Sequence, residues 1–222
     1  MVTWLAVREL WISFRLLALL AAYIGVGALV ALLPAQAPST MTRLSVGLAA
    51  AVIVGAAIAA GALGTERVLG RAGWLVTRSI SRGTLLVGWF VAVGGVSLIG
   101  LLAAATLGWL AASPLSQPQV GPFAAVVGGV GATSLAMIAI GLLLGTLLPP
   151  VPAAVAAVVV GLLMAGASYT LLPDAAAPLA ALAELPSLDR PVAAGVQGAG
   201  IGLAATAVLL VLARVALGRA DL

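Results

Sequence analysis

Six long apolar runs limit what this chain can fold into. They cover residues 16–33, 44–63, 84–112, 123–148, 151–172 and 193–213. An α-helix rises about 1.5 Å per residue and a bilayer's hydrocarbon core is about 30 Å thick, so about 20 apolar residues make one span. The expected fold is all-α and integral to the membrane: six transmembrane helices preceded by an N-terminal interfacial helix, with both termini cytoplasmic. Residues 1–222 form a single transmembrane domain on this reading, because the breaks between the runs are too short to hold a soluble unit. The third and fourth runs are long, so they are expected to tilt, to kink at glycines or to project beyond the bilayer. The first run is longer than the apolar core of a secretory signal. It is therefore expected to stay as a span, although "AQA" at 35–37 resembles a cleavage site.

Composition narrows the chemistry. The chain is 64% hydrophobic and 7% charged, where soluble domains carry about 25% charged residues. It has no His and no Cys, and its ten basic residues are all Arg. A phosphate-binding loop of the G-x-x-x-x-G-K-[ST] kind needs a Lys, and a His-based triad, thiol nucleophile or ordinary zinc site needs His or Cys. No catalytic, cofactor or metal residue is expected, and the chain is not read as an enzyme. Glu9, Glu66, Asp174, Glu184, Asp189 and Asp221 all fall outside the runs. Proton- or sodium-driven transporters and intramembrane aspartyl proteases place such groups within the bilayer, at a cost of about 2.5–3.5 kcal/mol each at a helix centre. Those classes are disfavoured, and the energy for any transport has to come from a partner.

Charge also orients the chain. With the N-terminus inside, Arg8, Arg15, Arg67, Arg71, Arg78, Arg82, Arg214 and Arg219 are cytoplasmic, and Arg43 and Arg190 are external. Cytoplasmic loops are enriched in basic residues, so the arginines report topology and not nucleic-acid binding. Residues 173–192 form the longest external break, and their four prolines limit helix length to one or two short pieces.

The opening "WLAVRELWISFR" differs in kind from the runs. Trp4, Val7, Trp11 and Phe14 recur at spacings of three and four, with Arg8 and Arg15 at the edge of the same face. A helix of this pattern lies in the interface, with rings at headgroup depth and guanidinium groups reaching lipid phosphates. The alternative is an inward extension of the first span. Gly141 with Gly145 and Gly198 with Gly202 are G-x-x-x-G pairs, suited to close helix contact either within the chain or with a second copy. Ser97, Thr133, Ser134 and Gln197 are read as bonding to neighbouring backbone sooner than lining a path.

The densest charge lies in "GTERVLGRAGWLVTRSISRG", residues 64–83. Arg67, Arg71, Arg78 and Arg82 are spaced to share one stripe if the segment were a single helix. Gly70 and Gly73 weaken such a helix, and Ser81 reads as the cap that starts the third span. A short cytoplasmic helix near 66–77 is expected, with Val68, Ala72, Leu75, Val76 and Trp74 as its apolar side and Glu66 paired to a nearby Arg.

Taken together, "WLAVRELWISFR", the six runs and the order Glu66, Gly70, Leu75, Ser81, Arg82, Gly83 before the third run resemble the permease subunit of type-2 ABC exporters. The resemblance spans the whole chain in topology, and its motif is confined to the N-terminal helix and residues 64–83. Ser79 stands where the family often has Pro, and the family's Lys early in the third span is absent. The resemblance implies a prokaryotic inner (plasma) membrane location and a second permease chain, identical or homologous. It also implies two separate ABC ATPase subunits that carry the ATP and magnesium. It assigns Glu66, Arg67, Arg71, Trp74, Arg78, Ser81 and Arg82 to coupling with the ATPase, and Trp4, Arg8, Trp11, Phe14 and Arg15 to the interfacial helix among membrane lipids. Two other readings stay open: a six-span scaffold or assembly factor without transport, and arginines that serve topology and lipid contact only.

Overall fold

The computed structural model describes residues 7–8, 10–11, 13–33, 39–70, 81–112, 117–167, 177–185 and 189–219. Besides the helical residues at 7–8 and 10–11, seven helices have described bounds: α1 (Arg15–Leu32), α2 (Thr40–Val68), α3 (Arg82–Ala111), α4 (Val120–Leu147), α5 (Pro150–Ala167), α6 (Ala177–Ala183) and α7 (Pro191–Arg219). Five of these, α1 to α4 and α7, are long and apolar enough to cross a membrane. The run expected at 151–172 is helical as α5, and its end beyond Ala167 lies outside the described residues.

The boundaries follow from local chemistry. Ser39 starts α2 by accepting a hydrogen bond from the Thr42 amide at 3.2 Å, and Ser81 starts α3 through the Thr84 amide at 3.0 Å. Such caps satisfy donors that a helix's first turn leaves open. Pro150 and Pro191 are the first residues of α5 and α7, where a missing N–H costs nothing and the fixed φ suits the helix. The helices outrun the hydropathic runs: α2 continues through Thr65, Glu66 and Arg67, and α7 reaches Arg219.

Small residues set the packing. Gly141 and Gly145 of α4 lie over the carbonyls of Ala56 and Ala60 in α2, a constant offset that makes the two helices parallel. Gly195 and Gly202 of α7 meet Ala125 and Ala132 of α4 in the same manner, again parallel. Without a Cβ, the backbones approach to direct contact, which is how helices associate where lipid removes the hydrophobic drive. Both G-x-x-x-G pairs are thus consumed within the chain, Gly198 against Pro178 of α6. A further parallel pair, α1 with α3, seats the Tyr23 ring on Gly100. Central α4 has 67% of its apolar window buried, against 28% for α1 and 22% for α7. Leu32, Val151, Leu163, Val196 and Val208 are exposed large apolar side chains on the outer faces, where they suit a lipid solvent and not water.

The pairings place Arg15, Arg67, Arg82, Arg214 and Arg219 at one end of the bundle, and Arg43 and Arg190 at the other. The second end is closed by α6, the short helix expected within 173–192. Pro178 packs between Gly129 and Gly198, the Ser45 hydroxyl donates to the Leu179 carbonyl at 2.5 Å, and Leu182 and Leu185 are buried.

Candidate functional site at the arginine-rich end

Each side chain here is positioned by a helix terminus. The last turn of α2 carries Thr65, Glu66 and Arg67. Glu66 is only 7% exposed. The Arg67 guanidinium donates to the Gly145 carbonyl at 3.2 Å, in the last turn of α4, and its Nε is buried without a hydrogen-bond partner among the described residues. Arg15 reaches across from α1 to the Thr65 hydroxyl at 3.4 Å, and that hydroxyl donates to the Gly61 carbonyl at 2.6 Å. Arg82 donates from α3 to the Leu217 and Gly218 carbonyls at 2.8 and 2.7 Å, in the last turn of α7. The final carbonyls of a helix lack intrahelical donors and carry the negative end of its dipole, so a guanidinium is well matched to them. Arg67 and Arg82 therefore staple neighbouring helices together.

This arrangement corrects the sequence expectation for 64–83 in one respect. Glu66 and Arg67 do not begin a separate helix at 66; they finish α2. Gly70 has φ +68, and its amide bonds to the Arg67 carbonyl at 3.0 Å. A side chain would strain that left-handed turn, so glycine ends the helix here and no single helix carries a four-arginine stripe. Ser81 caps α3 as expected. Arg71, Trp74 and Arg78 lie outside the described residues.

The N-terminal reading is corrected too. Val7, Arg8, Leu10 and Trp11 are helical, but Phe14 sits at φ 58 and breaks that helix from α1. Arg15 is the first residue of α1 and does not belong to an interfacial helix. Leu10 is buried in the core and Val7 packs against it, while Trp11 and Phe14 are 54% and 70% exposed. The inward face is therefore set by Val7 and Leu10. Trp4 lies outside the described residues, and Arg8 is exposed.

Within the bundle, the Tyr23 hydroxyl lies 3.2 Å from the Ser134 hydroxyl, both side chains fully buried. This link between α1 and α4 was missed, although a lone Tyr in an apolar run needs a partner for its O–H. Thr133 turns its hydroxyl back to the Gly129 carbonyl at 3.1 Å, Ser97 is buried, and Gln197 is exposed. Among the described residues, no group of His, Cys, Asp or Glu could hold a metal.

Apolar helices of spanning length, with basic side chains tying off one end, define a multi-pass α-helical membrane protein. No protein-family model matches the chain, and none of the curated proteins matches it either.

Proposed function

We propose that the chain is the transmembrane permease subunit of an ATP-driven ABC exporter in a prokaryotic plasma membrane. It would form the translocation pathway with a second permease chain and couple to two separate ATPase subunits. One observation carries the reading. The connection between α2 and α3 leaves the arginine-rich end from a last turn that is itself fastened, through Arg67, to α4. A load applied to that connection would be passed to the bundle and not absorbed by a frayed helix end. Support also comes from the resemblance of the 64–83 segment and from the absence of any nucleotide-binding motif of the chain's own.

Mild-detergent purification of the tagged chain, with mass spectrometry of co-eluting proteins, tests this. An ABC ATPase is expected in equal stoichiometry, together with magnesium-dependent ATP hydrolysis. A preparation devoid of any ATPase would leave the scaffold reading in its place. Within the complex, Trp74→Ala with Arg71→Glu is expected to preserve insertion and lower coupled ATP hydrolysis about tenfold or more, the scale of a lost interface anchor. Normal ATPase binding and transport by that variant would assign the arginines to topology alone.

Sidedness is tested separately. A cysteine at Ser79 is expected to resist an impermeant thiol reagent in intact cells, and a cysteine at Ser187 to react. The reverse labelling would invert the bundle.

A further inference from the structure

The arginine-rich end contains a groove that shares only Ser81 with the residues assigned to coupling. It is about 480 Å³, lies between the start of α3 and the end of α7, and is lined by Ser81, Gly83, Thr84, Leu86, Val87, Leu210, Val211 and Arg214. Its two levels differ in chemistry. Ser81, Thr84 and Arg214 form the outer level, near the helix ends, and Leu86, Val87, Leu210 and Val211 form the level toward the middle of the bundle.

Arg214 sets the character of the outer level. Its guanidinium lies over Gly83, where a Cβ would stand 3.4 Å from Nε. Arg82, beside it, is occupied by the Leu217 and Gly218 carbonyls. Arg214 is exposed and makes no hydrogen bond or ion pair to any described residue. A guanidinium at the edge of a spanning helix snorkels to the headgroup layer and gains most from a phosphate there. Among the described residues no Asp or Glu lines the groove, so none of them would attract the ammonium of a zwitterionic headgroup. Charge complementarity therefore favours a lipid of net negative charge.

We infer that the α3–α7 groove binds one anionic phospholipid, with its phosphate at Arg214 and its first acyl carbons against Leu86, Val87, Leu210 and Val211. Basic pockets between helices at the membrane edge are suited to such headgroups. The site is independent of the transport reading and stands whether or not an ATPase is bound.

The test is native mass spectrometry of the delipidated protein, as purified, titrated with phosphatidylglycerol or phosphatidylcholine. The wild type is expected to take up one phosphatidylglycerol in preference to phosphatidylcholine, and millimolar inorganic phosphate is not expected to displace it. Arg214→Gln should weaken phosphatidylglycerol binding about fivefold or more, the scale of one charge-assisted contact, and leave phosphatidylcholine unchanged. Gly83→Leu, which fills the groove and alters no charge, should weaken it likewise and decides the matter alone if Arg214→Gln does not fold. Arg43→Gln, at the opposite end, should have no effect. Equal binding of the two lipids by the wild type, full retention in Gly83→Leu, or an equal loss in Arg43→Gln would each overturn the site.

Discussion

Gly141→Val is expected to prevent assembly of the bundle, while Gly128→Ala, one face away on the same helix, leaves it intact. A Cβ on Gly141 would run into the Ala56 carbonyl, with the Ala56 carbonyl carbon and Cα close behind. Those atoms are backbone of α2, so no side chain can rotate aside. Relief requires α2 and α4 to separate along a seam that also holds Gly145 against Ala60. Overpacking a tight interior costs about 1–3 kcal/mol even where side chains can shift, and here the whole contact has to open. Gly128 has nothing within 4 Å of its Cβ position, and Ala there gains about 0.5–1 kcal/mol in helix propensity. Size-exclusion profiles and thermal melts in detergent read both. A monodisperse Gly141→Val protein with an unchanged melting temperature would show that the α2–α4 seam is not the contact described.

The same seam bears on partners. Because Gly141, Gly145, Gly198 and Gly202 are all covered from within the chain, they offer no close-packing surface to a second copy of it. A partner chain has to use the outward apolar faces instead, such as those carrying Val151 and Leu163 on α5 or Val196 and Val208 on α7.

How much of this was legible in sequence depends on the range of each interaction. The apolar runs located every long helix because burial in lipid is a local property of about 20 consecutive residues. Ser81 was readable as a cap because its partner, Thr84, is three residues away. The ends of α2 and α7 were not readable. Hydropathy stops at Glu66 and at Arg214, whereas backbone hydrogen bonding continues wherever the polar residues find partners. Those partners are remote: Arg67 and Gly145 lie 78 positions apart, and Arg82 and Leu217 lie 135 apart. Phe14 was misread for a different reason. Its place in the three-and-four spacing fits a helix, but the chain takes a left-handed turn there, φ 58, that spacing cannot reveal. The coupling role proposed for Arg71, Trp74 and Arg78 rests on the sequence alone.

Arg82→Ala is expected to loosen the end of α7 and destabilise the protein by about 1–3 kcal/mol, since two charge-assisted bonds to otherwise open carbonyls are lost and the site is partly exposed to solvent. Arg82 is the sole described link from the α3 terminus to the Leu217 and Gly218 carbonyls. Hydrogen exchange should therefore rise at the amides of residues 214–219 and stay unchanged in α1. Arg82→Lys keeps a cation near the negative end of the α7 dipole, but its shorter side chain does not carry the ammonium as far as the single Nη1 that makes both bonds, so it should recover part of the loss. The variant also separates two roles for this arginine. A residue that served only to contact an ATPase would, on replacement, weaken partner binding and leave the exchange of α7 unaltered. The staple makes the opposite prediction: faster exchange and a lower melting temperature in the isolated chain, with no partner present. If Arg82→Ala melts with the wild type and α7 exchanges at the same rate, the two carbonyl contacts contribute nothing to the fold, and Arg82 returns to the set of residues available for coupling.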